Sequence, residues 1–263
     1  MEVDSVRLTD IHYGASEFDL SVRILDESGK EIASADDSDL HIQDPILSIL
    51  APEDGDYIVE ITESLFKQGK FVRYLAHIGD FERPLVVFPP GGEAGKSQEV
   101  TLIGDPSGEV KRTLEFPKGE RSGDFEFRET APSALTLRVS PYPNVLDSEP
   151  VTSELPVALN GVLSKNAETD VHRISAQKGE SYRVTVFARS LGTPVDPKIE
   201  IVHAESGKVE ATGDDANHAE RDLWAVAKSF QLPDLLDPSF VWKPEQDGDY
   251  EVRIRDMRGL GGP

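Results

Sequence analysis

The chain has 263 residues with a hydrophobic fraction of 38% and no Cys, which is enough for two or three compact domains and excludes disulfides, thiol nucleophiles and thiolate metal sites. Its 49 acidic residues against 27 basic ones leave a formal charge of -22, spread along the chain, which opposes binding to nucleic acid or an anionic membrane surface and suits solubility or hard cations such as calcium. The apolar runs at Ile46–Leu50 and Leu85–Phe88 are strand-sized, far short of the ~20 residues that span a bilayer, so no membrane insertion is expected.

The first residues, Met1 to Val6, lack the basic and apolar regions of a signal peptide, which leaves a cytosolic protein or a fragment of an exported one. From Leu20 a strand alternates inward at Val22 and Ile24, turns at Ser28-Gly29-Lys30, and returns toward an acidic doublet, Asp36-Asp37. Asp44-Pro45 opens the next strand. Asp54-Gly55, like Asp247-Gly248 later in the chain, is expected to supply the positive φ of a tight turn before the next strand, where Tyr57, Val59 and Ile61 alternate, and Phe71–Ile78 reads as one more.

Between Glu82 and Pro150 short strands are predicted at Leu85–Phe88, Gln98–Ile103, Lys111–Phe116, Gly123–Phe127 and Ala134–Val139, the pattern of a small sandwich. Pro90–Ser97 ends in Gly-Lys-Ser like a phosphate loop, but Pro90 replaces its first Gly and a strand follows where a helix is required, so a hairpin turn is expected. Asp147–Pro150, after the Pro-rich Ser140–Pro143, reads as a linker.

The early pattern then returns. Asp44–Ile61 matches Asp237–Ile254 at an offset of 193 residues, and Leu20–Lys30 matches Pro197–Lys208, followed by a second doublet, Asp214-Asp215. Each copy reads as a β meander. The second copy is preceded by Val157–Leu163 and His172–Ile174, for which the first has no equivalent, and it stops before any partner of Phe71–Ile78. Both copies are therefore expected to be pieces of a longer parent chain. The second copy has 21 residues between Asp215 and Asp237 against six between Asp37 and Asp44, and Leu223, Val226, Ala227 and Phe230 in that insertion predict a short amphipathic helix.

The ordered pattern of strand pair, Ser-Gly-Lys turn, Asp-Asp doublet, Asp-Pro and Asp-Gly-Asp-Tyr resembles the bacterial pre-peptidase C-terminal domain over residues 1–81 and 151–263. The middle segment, 82–150, with Phe88–Gly92 and Val139–Val145, resembles the immunoglobulin-like spacer found between such modules in large exported bacterial proteins. The resemblance implies an all-β fold of tandem jelly-roll-like sandwiches around a small immunoglobulin-like sandwich. It further implies a secreted, cell-surface or periplasmic location, and relatives that bind calcium or polymeric substrates.

Calcium is the sharpest candidate ligand. Asp36, Asp37, Asp39 and Asp44 in the first copy, and Asp214, Asp215 and Asp237 in the second, place carboxylates in or beside one loop, although none has EF-hand spacing and Asp also caps turns through its own backbone. Trp224 is the candidate contact residue for a protein or polysaccharide partner, whereas Trp242, alternating with Phe240, reads as core. No Gly-x-Ser-x-Gly elbow and no His-Glu-x-x-His motif is present. The expectation is a non-catalytic set of spacer and binding modules whose partners include neighbouring domains of the parent chain. The alternative is the substrate-capture or folding region of an exported peptidase.

Overall fold

The computed structural model describes residues 1–8, 19–41, 43–66, 73–119, 121–146, 151–215 and 237–261. The predicted helix at Leu223–Phe230, Trp224 and the linker at Asp147–Pro150 lie outside them. The fold is all-β, built from paired sheets, with two 3-10 turns as its helical content among the described residues. The residues group into two compact units, Met1–Leu85 with Gly104–Glu109 and Arg128–Ala134, and Val86–Ile103 with Val110–Phe127 and Leu135–Pro263.

The first unit holds β1 (Glu2–Asp4), β2 (Leu20–Leu25), β3 (Glu31–Ala35), β4 (Ile58–Glu63) and β5 (Leu75–His77). β2 lies between β3 and β4 in one sheet, and β1 pairs with β5 in another. Val22 and Leu20 point into a core shared with Met1 and Val3, as the alternation requires.

The second unit begins with β6 (Val86–Phe88), β7 (Gly91–Glu93), β8 (Ser97–Ile103), β9 (Val110–Glu115), β10 (Gly123–Phe127) and β11 (Leu135–Ser140). These form two three-stranded sheets, β6-β8-β9 and β10-β11-β7, with Phe116 and Phe125 meeting edge to face at 5.4 Å. All five strands predicted here are present. The Gly-rich stretch differs from its expected hairpin: β7 pairs in parallel with β11, and the turn at Gly95 (φ 75) carries the chain from one sheet to the other. Only Gly fits at 91, where a Cβ would come 2.1 Å from the Arg138 carbonyl oxygen.

The rest of this unit comprises β12 (Asn144–Leu146), β13 (Thr152–Glu154), β14 (Ala158–Asn160), β15 (Asp170–Ala176), β16 (Tyr182–Thr185), β17 (Pro197–His203), β18 (Val209–Gly213), β19 (Ser239–Trp242) and β20 (Gly248–Asp256). A five-stranded sheet runs β13-β15-β20-β17-β18, and β16 pairs with β19. The core between them gathers Ile174, Ile199, Ile201, Val252, Tyr250 and Trp242, the last 3% exposed and 4.8 Å from the Tyr250 ring.

The repeat is structural as well as sequential. Ile24 faces Ala33 and Val59 in the first module, and Ile201 faces Ala211 and Val252 in the second, with a bulge following each Ile. Tyr57 Oη donates to the Glu53 carbonyl at 2.6 Å and Tyr250 Oη to the Gln246 carbonyl at 2.9 Å. The correspondence also reaches the first residues of the chain: the Val3 amide donates to the Pro45 carbonyl at 3.1 Å, as the Val186 amide does to Pro238 at 3.0 Å.

Two sequence expectations are corrected. Neither module is a meander. β3 and β4 both pair with β2, and β18 and β20 both pair with β17, while the intervening Asp-Pro segment pairs on the opposite sheet. Alternation fixes which face of a strand is buried but not its neighbour. The positive φ expected at both Asp-Gly steps is present at Gly248 (φ 150) but not at Gly55, and the Ser-Gly hairpins carry it at Gly29 (φ 82) and Gly207 (φ 68); both Asp-Gly segments are links between sheets and not hairpin turns.

Candidate functional site

Asp44 and Asp237 occupy the same place in the two modules. Asp44, fully buried, accepts the backbone N–H groups of Ser5, Val6 and Arg7 at 3.0, 2.8 and 3.1 Å, and Arg7 Nε at 2.9 Å. Asp237, 2% exposed, accepts those of Ala188, Arg189 and Ser190 at 2.9, 2.9 and 3.1 Å, and Ser190 Oγ at 2.6 Å. In each module the three amides start a 3-10 turn, Val6–Leu8 or Arg189–Leu191, whose first N–H groups have no partner inside the turn. One carboxylate satisfies them all. With both oxygens surrounded by donors, a cation bound to either Asp would face N–H dipoles of the wrong sign, so these two residues do not fit a calcium site.

Of the remaining acidic candidates, Asp36, Asp37, Asp214 and Asp215 lie just past strand ends. Asp36 and Asp37 follow β3, Asp19 precedes β2 and Glu63 ends β4, and antiparallel pairing brings the three ends together, with Leu20 opposite Glu63 and Val22 opposite Ala35. Burial, then the neighbouring charges of Asp36 and Glu63, raise the Asp19 carboxyl above its ordinary value; burial, then Asp36 and Asp19, do the same for Asp37. The second module repeats the quartet as Asp196, Asp214, Asp215 and Asp256. The Met257 amide donates to the Asp196 carbonyl at 2.7 Å, just as Ser64 does to Asp19 at 2.6 Å.

The two quartets differ in one member. Asp256 accepts the Asp196, Arg258 and Leu260 amides at 2.8, 2.8 and 3.2 Å. Burial works against its ionisation, but these bonds and the Arg258 side chain outweigh it and hold the carboxyl below the usual range. Asp214 accepts the Asp215 amide at 3.1 Å, and both are exposed, as is Asp39 in the turn beside Ser38. Among the described residues no three His, Asp or Glu side chains converge as a metal-binding group.

A third polar cluster was not anticipated. Glu2 and Arg83, both with fully buried side chains, lie 2.9 Å apart through Oε2 and Nε, with the N–H off the line between them, so the contact is an ion pair and not a well-aligned hydrogen bond. Arg7 Nη2 reaches Glu2 Oε1 at 3.1 Å and also pairs with Asp4. His41 Nε2 lies 2.7 Å from Ser133 Oγ and 3.5 Å from Glu2 Oε1, and Arg83 Nη2 donates to Ser133 Oγ at 2.7 Å. Burial opposes the Glu2 charge, but bonds from His41 and Ser133, the Arg83 charge and the Arg7 bond together hold its carboxyl far below the ordinary range.

Ser133, His41 and Glu2 together invite comparison with a nucleophilic triad. In a triad the acid holds one ring nitrogen while the other meets the hydroxyl. Here Ser133 and Glu2 approach the same nitrogen, and an arginine donates to the hydroxyl oxygen, so the arrangement is a closed ionic network. No protein-family model matches this chain, and no curated protein matches it.

Proposed function

We propose that the chain serves as spacer and binding modules of a secreted or surface-exposed bacterial multidomain protein, with any catalysis residing elsewhere in that protein. The observation that carries this reading is the duplication of a module through its structural bonds. Asp44 and Asp237 cap the same turn, and Tyr57 and Tyr250 close the same loop. The polar side chains common to both copies thus hold each sandwich together, which is what repeated scaffold units share. A dispersed charge of -22 keeps such a chain soluble and apart from its neighbours.

The test is turnover. The purified chain is expected to leave casein and fluorogenic ester substrates intact, and hydrolysis abolished by Ser133→Ala would sink the reading.

Calcium enters this proposal through the pair Asp36 and Asp37, with backbone carbonyls and water as the remaining ligands, where a bound cation would relieve the repulsion between these carboxylates and Asp19. Thermal unfolding in millimolar calcium is expected to lie several degrees above unfolding in chelator, by linkage to the native state. Asp37→Asn should remove that difference and, by relieving repulsion, raise the chelator midpoint slightly. An unchanged midpoint in the wild type at millimolar calcium removes the metal and leaves the spacer.

A further inference from the structure

The strands of the middle sandwich and the second module fall in one compact unit, and the chain passes between them with little free length. β11 ends at Ser140, and the Pro143 carbonyl already accepts the Ala158 amide at 2.9 Å, so only Pro141 and Tyr142 lie between the last strand of one domain and the first bond to the other. The Tyr142 amide is itself held by Ser140 Oγ at 3.1 Å. From there β12 runs parallel to β14, with Asn144 opposite Ala158 and Leu146 opposite Asn160. Asn160, 7% exposed, fastens the pair by donating to Asn144 Oδ1 at 3.3 Å and to the Val145 carbonyl at 3.4 Å. Val157 and Leu159 pack against the core of the second module, so β12 is strapped to that module through β14.

One tether, however short, leaves two domains free to turn about it, and relative motion is the ordinary expectation for neighbouring domains. A second contact away from the tether removes that freedom. Arg138 of β11 and Phe187, after β16, supply it: the guanidinium carbon lies 4.2 Å from the ring centroid, within cation–π range. β11 also lies against the 3-10 turn Arg189–Leu191 that follows Phe187.

Both partners are held in place by their own domains. Arg138 Nη1 pairs with Asp124, its neighbour across β10 and β11, which steadies the guanidinium and leaves a face for the ring. Its Nε is buried without a hydrogen-bond acceptor among the described residues, so the ring carries part of the compensation for the desolvated charge. Phe187 immediately precedes the three amides that Asp237 collects, so the buried cap fixes the backbone from which the ring projects. In the first module Asp4 stands at that place, just before Ser5 to Arg7, and it pairs with Arg7 of its own module. The cap is common to both copies, whereas the ring is particular to the second.

We infer that the middle sandwich and the second module form one rigid body, locked by Arg138 seated on Phe187. The inference deepens the spacer reading, and it rests on that reading for the use of the stiffness: a locked pair holds two domains at one angle, so the position of either sets that of the other.

The test uses the intact isotope-labelled protein and residual dipolar couplings, which report the orientation of each backbone N–H in a weakly aligned sample. Couplings from β8, β9 and β11 and those from β15, β17 and β20 are expected to fit a single alignment tensor. Phe187→Ala should lose the single fit, each domain then needing its own tensor, while couplings within each domain still agree and so report intact folds. Phe187→Leu, which keeps apolar bulk without a π face, should behave like the Ala variant, and Phe187→Trp should restore the single fit, because an indole face holds a cation best. The inference is overturned if the wild-type domains need two tensors, if Phe187→Ala leaves the single fit intact, or if Phe187→Leu is as rigid as the wild type. Hydrolysis in the turnover test would sink the spacer reading and leave these couplings unchanged, so the two fail separately.

Discussion

Replacing Asp237 by Ala is expected to destabilise the second module by about 3–5 kcal/mol, the range for stripping a buried charged acceptor from several donors at once. The carboxylate receives three consecutive backbone N–H groups and one hydroxyl, and it is 2% exposed, so water does not readily take its place. Asp237→Asn keeps the volume and one acceptor oxygen but turns an NH2 toward backbone donors, and it should fall between wild type and Ala. Asp44→Ala should cost a similar amount in the first module, where it also removes the acceptor of Arg7 Nε. Both Trp residues, 224 and 242, belong by sequence to the second module, so tryptophan fluorescence during urea unfolding follows that module. The Asp237 variants should shift the fluorescence midpoint, whereas Asp44→Ala should act mainly on the far-UV signal. A loss under about 1 kcal/mol for Asp237→Ala would mean that the turn finds other acceptors, since surface changes of that size need no specific mechanism.

The same two residues show what a sequence can and cannot convey. Strands were legible because their signals are local: the alternation at Val22 and Ile24 or Ile199 and Ile201, and the Pro and Gly punctuation between Leu85 and Val139, all mark real strands. Pairing was not, because the partner of Leu20–Leu25 on each side is set by where the chain returns. Asp44 and Asp237 stood out as an aligned pair, yet an Asp beside a loop looks alike as a ligand or a cap. What decides is the set of donors 37 to 49 positions away, Ser5 to Arg7 and Ala188 to Ser190, which share almost no side-chain identity. Glu2 and Arg83 gave no signal, because one lies in the first strand and the other in a connecting segment, and neither sits in a recognisable motif.

That buried pair sets the second large effect. Arg83→Met should destabilise the first unit by about 3–5 kcal/mol by leaving the Glu2 charge buried without its main counter-ion. The double variant, Glu2→Leu with Arg83→Met, should recover much of the loss, since an apolar pair of similar volume removes the desolvation cost of both ions. Two groups of this cluster contribute to the pH dependence with the same sign. Glu2 is held far below its ordinary value of 4.5, so the folded state gains from its ionisation above that pH and loses the gain progressively as pH falls below it.

His41 is lowered from 6.5, by burial first and by Arg7 and Arg83 against the opposing pull of Glu2, so the folded chain takes up its proton at a lower pH than the unfolded chain. The contribution of these two groups to the stability of the first unit should therefore decline below pH 6.5 and fall more steeply below 4.5. His41→Gln should flatten the upper part of the decline and Glu2→Gln the lower part, each measured as the urea midpoint against pH. If instead the midpoint of the wild type rises as pH drops from 7 to 5, protonated His41 strengthens the Glu2 network, and the cluster is held by its charges more than it is penalised by burial.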